Sequence, residues 1–470
     1  MPPMTKPTTR VIIDDFAKEV REKRMQSAKP SKEVINFRTD VKDGIERLVW
    51  QVPIEILRFR KDNGRISSNV IDYEQNIGVL NETDDRTQAI LRQYLEEKDP
   101  EKASVLRSSI MHAGQIEPAI ITSDGFLING NRRKMVMDRL HAELPQTAGF
   151  AYMKCVILPG KEDKGEGGPP TLLEIEKLEN RYQLQSDGKS EYYGFDRALS
   201  IKRKIDLGLS LAEQLRDDPR YAEATQQQLE KAIKECEKMI LRPLECVDRY
   251  LKQFRREAQY RTISTGMSDP EGRWQAFIDY SHVYTTCFLN PKKLLELGIE
   301  EEDVGGIEES AFDIIRLRTI PEMPKVHAIM RELPKYCRTR EGKRAILKIA
   351  DKVEPVLPLD ECRDKDGKPL TTAEIDARWA AKFKEPIIYN LKKAATRHES
   401  QKEKETPLGL LEAAYKKMTH PDMDLSSTGI NDLHKAREIT AAISGKAHEL
   451  EGQIYKFEKA LKKLLGKKDD

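Results

Sequence analysis

Apolar and polar positions change their period once along this chain. Leu48–Phe59 reads LVWQVPIEILRF, β-branched and aromatic residues in loose alternation, which predicts a strand with Pro53 at an edge or bulge. The turn pair Asn63-Gly64 follows, and Asp84–Leu95 and Ala103–His112 then show helical spacing, with Gly114 as a stop. Pro118–Ile121 and Phe126–Ile128 predict a short strand pair around Ser123-Asp124-Gly125. A helix over Asn131–Glu143 and a strand over Tyr152–Leu158 come next, before the Gly/Pro-rich loop Lys161–Pro170. From Thr171 helical patterns dominate almost to the end. The chain thus reads as α+β, a small mixed domain followed by a mostly helical region.

Two further stretches stand out. Val11–Met25 predicts a short helix ahead of the loop Ser27–Lys32; its Arg21, Lys23 and Arg24 suit either a phosphate backbone or a solvated face. Near the C-terminus, Leu433, Ala436, Thr440, Ile443, Ala447, Leu450, Ile454, Phe457, Leu461 and Leu464 recur at alternating steps of three and four. That is a coiled-coil seam, which Gly445 and Gly452 weaken without breaking register. It serves association with a second copy or a protein partner, or else packing on the chain's own helices. Asp360–Pro369 and Arg397–Pro407 read as charged linkers.

Composition narrows the class. The 470 residues include 34% charged ones yet carry a net charge of only +2, so any nucleic-acid surface is a local patch. No apolar run approaches a membrane span, and MPPMTKPTTR lacks the apolar core of a secretory signal, so a cytoplasmic protein without membrane contact is expected. The six cysteines are scattered without metal-ligand spacing, which points to reduced thiols.

The chemistry concentrates in Ser108–Leu140. A helix ends at Gly114 and delivers Gln115 into a loop; a strand pair then leads to Gly130-Asn131-Arg132-Arg133 at a helix start. Bare amides there, a glycine allowing close approach and two guanidinium groups suit a di- or triphosphate. Taken alone, the same four residues also describe a surface turn with two solvated arginines. The order of elements resembles the ParB N-terminal domain of the ParB/sulfiredoxin superfamily, whose members show G(Q)xxP, GxRR and ENxQR in turn. Gly114, Gln115 and Pro118 match the first, Gly130–Arg133 the second, and Glu179-Asn180 the start of the third.

The resemblance covers roughly residues 48 to 200 and implies a nucleotide domain. Gly114 and Gln115 would lie by the base or sugar, and Gly130, Asn131, Arg132 and Arg133 would hold the phosphates of CTP or ATP. Glu179 and Asn180 would help coordinate Mg2+, with Glu179 as the catalytic candidate if turnover occurs. Arg58, Arg60 and Arg65 could add basic character. The third motif continues Arg181-Tyr182-Gln183-Leu184 and does not align, which puts hydrolysis in doubt. Asn131 stands where sulfiredoxin-like enzymes place a reactive cysteine, which argues against that chemistry.

A helix-turn-helix follows the nucleotide domain in ParB proteins. Here Leu229–Phe254 resembles a divergent one, with Ala232 and Ile233 facing the core, a turn near Glu237–Arg242 and a helix after Pro243. Lys252, Arg255, Arg256 and Arg261 beside Tyr250, Phe254 and Tyr260 suit DNA phosphates, or else belong to a helical bundle. The segments are an arm (1–47), the nucleotide domain (48–200), a helix-turn-helix-like part (201–262), a helical domain (263–396) and C-terminal helices (407–470). The implied function is a homodimeric, nucleotide-switched, DNA-associated protein of partition, regulation, mobile elements or phage defence. The alternative is an enzyme (an NTPase, nuclease or small-molecule kinase) needing a second carboxylate such as Glu176, Asp187 or Glu191.

Overall fold

A computed structural model describes residues 8–38, 45–98, 100–184, 194–218, 220–260, 263, 273–354, 361–420, 423 and 429–465. The chain divides into two units, Met1–His398 and Glu399–Asp470.

The first unit opens with α1 (Asp14–Lys23), β1 (Lys32–Ile35) and β2 (Ile45–Pro53), followed by α2 (Ser67–Asn76), α3 (Asp85–Lys98) and α4 (Pro100–Ala113). The hairpin β3 (Ala119–Ile121) and β4 (Leu127–Asn129) leads into α5 (Asn131–Glu143), β5 (Tyr152–Ile157) and α6 (Leu172–Leu184). The strands form one sheet in the order β1-β2-β5-β3-β4; only the β3–β5 pair is parallel. Alternation along each strand assigns its two faces. Val52, Ala119, Ile121, Leu127, Met153 and Cys155 pack with Leu91, Ile110, Met135 and Leu140 of α3–α5. Val49, Ile120, Ile128 and Val156 point the other way, onto Ile175 and Leu178 of α6. Both faces are covered at β3, which is wholly apolar and buried, whereas the edge strand β1 is largely exposed.

Several elements depart from the sequence reading. The arm contributes β1 to the sheet, and a boundary at 47 falls inside β2. The strand expected over 48–59 ends at Pro53 and passes into a 3-10 turn, Ile54–Ile56. The polar α2, with Val70 its one buried apolar side chain, gave no periodic signal. The loop at 161–170 is clamped: Arg38 donates to Glu174 at 2.9 Å and to the Pro169 carbonyl at 2.7 Å.

The helical part comprises α7 (Gly194–Asp206), α8 (Leu211–Arg216), α9 (Gln226–Cys236), α10 (Arg242–Gln253), α11 (Arg273–Val283), α12 (Pro291–Leu297), α13 (Asp303–Leu317), α14 (Val326–Tyr336), α15 (Arg340–Lys352) and the beginning of α16 (Thr372–Met418). All of these but α8 and α9 contribute to a further core in which Phe277, Ile315, Ile346 and Leu391 are buried. The expected turn at 237–242 is absent. Glu237–Leu241 is a π-helical turn whose flanking residues keep right-handed helical backbone, so α9 and α10 form one continuous run. Pro243 explains the wide turn: it lacks an N–H and its ring crowds the carbonyl four residues back, which a π-bulge relieves. The linker expected at 397–407 is likewise helical, inside α16.

The second unit holds the remainder of α16 and α17 (Ile430–Leu465). The heptad stretch is one helix through Gly445 and Gly452, with Leu433, Ile443, Ile454, Phe457 and Leu461 exposed. No helix among the described residues is long and apolar enough to cross a membrane.

Candidate functional site

A cavity of about 630 Å³ opens where α4 ends, α5 begins, α6 passes and the loop after β2 turns back. Its lining brings together Gly114, Gln115, Gly130, Asn131, Arg132, Arg133 and Glu179, residues up to 65 positions apart in sequence, and adds Asn63, Arg65, Lys102 and Tyr182. The apolar part of the wall is Val105, Leu106, Ile110, Ile116 and Ile128.

Local geometry explains the placement. Gly114 sits at φ 67, the left-handed conformation that closes α4, and its N–H reaches the Ile110 carbonyl at 2.9 Å. Gly130 starts α5 at φ 98 without a side-chain cap, and a Cβ there would lie 2.7 Å from the Ala119 Cβ. Only glycine lets this turn rest on β3 and leave the first amides of α5 at the cavity.

The predicted residues divide by what their side chains touch. Arg132 lines the cavity and is half-buried. Arg133 turns back instead, donating to the carbonyls of Glu117 and Pro118 and to Asn129, so it braces the hairpin beneath the cavity. Burial lowers its pKa, with Glu117 opposing. The Gln115 amide accepts from the Lys154 N–H at 2.6 Å and donates to the Lys154 carbonyl at 2.8 Å, tying the loop to β5.

Glu179 lies deep and is 3% exposed. One carboxylate oxygen accepts from the Gly64 N–H at 3.2 Å, the other from Arg60 at 3.4 Å. Asn180 does not reach the cavity, a correction to its assignment as a nucleotide and metal ligand. Its amide donates to Asp217 at 3.0 Å and to the Gln214 carbonyl at 3.1 Å, and its oxygen accepts from Lys204 at 3.0 Å. Adjacent residues on a helix diverge by about 100°. The Glu179–Asn180 pair therefore does not converge on one metal position, and no group of three or more His, Cys, Asp or Glu among the described residues could hold a metal ion. Magnesium fits here only as an ion carried by a ligand's own phosphates.

Arg60, expected near the ligand, is buried between Glu176 and Glu179. Burial, then the charge of Glu179, raise the pKa of Glu176, whose two oxygens are held by Arg60 at 3.1 Å and Arg203 at 2.7 Å. Arg58 stacks on Phe16 and donates to the Thr83 carbonyl. Asp187 and Glu191 lie outside the described residues. Tyr182 on the cavity wall is a neutral phenol, its pKa pushed up to about 12 by burial and then by Glu33 and Glu117.

The basic and aromatic run after α10 is also redistributed. Lys252 and Arg255 are exposed, but Arg256 is 2% exposed and pairs with Asp376 at 2.8 Å, correcting its assignment as a DNA contact. Tyr250, Phe254 and Tyr260 are core residues, unavailable for stacking on a ligand; Arg261 lies outside the described residues.

Asn63, Lys102 and Tyr182 were not singled out as site residues from sequence. Asn63 was legible only as half of a turn pair, and nothing local indicates that the turn meets α5 and α6. Comparison with known proteins finds no matching family model, curated relative or solved structure.

Proposed function

We propose that this chain binds a nucleoside triphosphate, CTP or ATP with Mg2+, in the cavity at the start of α5, as a ParB-like switch associated with DNA. The observation that carries the reading is that one cavity lining holds both apolar and cationic residues. Val105, Leu106, Ile110, Ile116 and Ile128 offer an apolar surface for a base, while Gly130, Arg132, Arg65 and Lys102 offer amides and cations for phosphates. With both Glu176 oxygens engaged by Arg60 and Arg203, binding without turnover is better supported than an NTPase or nuclease. Exposed Lys252 and Arg255 are the remaining candidates for DNA phosphates. Partition, regulation and phage or mobile-element contexts all suit such a switch.

A second copy is the proposed partner of α17. With Leu433, Thr440, Ala447, Ile454 and Leu461 as one seam row and Ala436, Ile443, Leu450 and Phe457 as the other, Gly445 and Gly452 both fall on the outermost position. A parallel pair then sets Asp432 of one copy beside Arg437 of the other, and Lys446 beside Glu451, with no like charges opposed.

The test is thermal melting with each nucleotide and Mg2+. A ligand at a hundred times its Kd stabilises by roughly 2.7 kcal/mol. A melting temperature unmoved by every nucleotide overturns the reading.

A further inference from the structure

Among the described residues, two polar atoms on the cavity wall have no hydrogen-bond partner, and they have opposite character. Asn63 is 3% exposed; its Oδ1 accepts from the Arg65 N–H at 3.1 Å, while its Nδ2 is buried with nothing to donate to. Asn131, at the first turn of α5, has a buried Oδ1 with no donor. A buried donor or acceptor without a partner forfeits its hydration and gains nothing in return. Here both line the same cavity.

An anion alone cannot answer both. Phosphate oxygens accept from Asn63 but meet Asn131 Oδ1 as one acceptor against another. A group that donates as well as accepts has the character for both: the hydroxyls of a sugar, or an amino group beside a ring nitrogen on a base edge. Resting on the proposed nucleotide cavity, we infer that Asn63 and Asn131 form a donor–acceptor pair that binds the nucleoside part of the ligand. The cavity thereby selects nucleoside triphosphates over bare polyphosphate. Arg65, Lys102 and Arg132 on the same lining would face the phosphates, and they carry no such selectivity.

The experiment is calorimetric titration of the full chain with Mg2+ and, separately, CTP, ATP, their 2′,3′-dideoxy forms and inorganic tripolyphosphate. Wild type should bind one nucleoside triphosphate at least tenfold more tightly than tripolyphosphate. Asn63→Ser keeps a short acceptor for the Arg65 N–H but removes the Nδ2 amide, leaving only a hydroxyl on a shorter side chain, and Asn131→Ala removes the acceptor. Each should reduce that preference tenfold or more and leave tripolyphosphate binding within about threefold of wild type. Weaker binding of the dideoxy forms assigns the pair to the sugar; equal binding assigns it to the base. Melting without ligand reports folding, and Asn131→Ala decides the matter if Asn63→Ser does not fold. Folded variants that keep the full preference overturn this inference alone, as does a wild type that binds tripolyphosphate as tightly as nucleotides. A wild type that binds no probe overturns the proposed function along with it.

Discussion

Arg60 and Glu179 meet at 3.4 Å in the interior, each with a side chain no more than 3% exposed, and Glu176 takes the other arm of the guanidinium at 3.1 Å. The pair joins the loop after β2 to α6, and so joins two walls of the cavity. Arg203 and Lys204 of α7 extend the network through Glu176 and Asn180.

Removing the central cation should strip two buried carboxylates one helical turn apart of the partner they share. Arg60→Met is expected to cost about 3–5 kcal/mol, the range for breaking a buried ion pair, read from urea unfolding. A loss under about 1 kcal/mol would show that the network is not holding these elements together.

Gly130→Ala should both destabilise the chain and damage the cavity. A Cβ would stand 2.7 Å from that of Ala119, in a left-handed conformation at φ 98. We expect a loss of roughly 1–3 kcal/mol and a melting response to nucleotide reduced beyond that loss. An alanine variant that melts and responds like wild type would mean that β3 and the α5 turn are not in contact.

Asp313 on α13 is 1% exposed, one of its oxygens has no partner, and burial pushes its pKa to about 8. The folded state therefore keeps a proton that the unfolded chain gives up near pH 4. Its contribution to stability is full below pH 4 and is lost as pH rises towards 8. Asp313→Asn should flatten that decline and raise the melting temperature at pH 8 by at least roughly 2 °C. Parallel stability curves for the two proteins between pH 4 and 8 would refute this.

Charge reversal tests the α17 pairing. Lys446→Glu and Glu451→Lys should each weaken self-association, by about fivefold in Kd, and the double variant should recover it; Ile443→Asp should abolish it. Light scattering across a concentration series reads the outcome. A wild-type chain that stays monomeric at high concentration removes the second copy as the occupant.

Around α10 the same residue type serves two ends. Arg256→Ala, which strips a buried partner from Asp376, should cost about 3 kcal/mol. Lys252→Ala and Arg255→Ala should change stability by under about 0.5 kcal/mol. If DNA binds here, each should lower the slope of log affinity against log salt by about one. Unchanged slopes in a chain that binds DNA would move the contact elsewhere.

Local physics made part of this protein readable before any coordinates. The glycine stop at 114, the glycine turn at 130, the hairpin between them and the helix Asn131–Glu143 depend on neighbours a few residues away, and the structure has each of them. The heptad spacing over α17 is equally local. Burial and long-range pairing are not. Arg132 and Arg133 are adjacent, identical in type and both on the cavity lining, yet the guanidinium of Arg133 is spent on bracing the hairpin. The rotation of about 100° per helical residue parts Glu179 from Asn180. Arg60 and Arg256 read as surface charge because their carboxylates lie 116 and 120 positions away. Sequence alone determined the turns at Gly114 and Gly130 and the heptad spacing of α17. Tertiary structure decided which charges face the cavity and which hold the core, since that depends on partners only folding brings within reach.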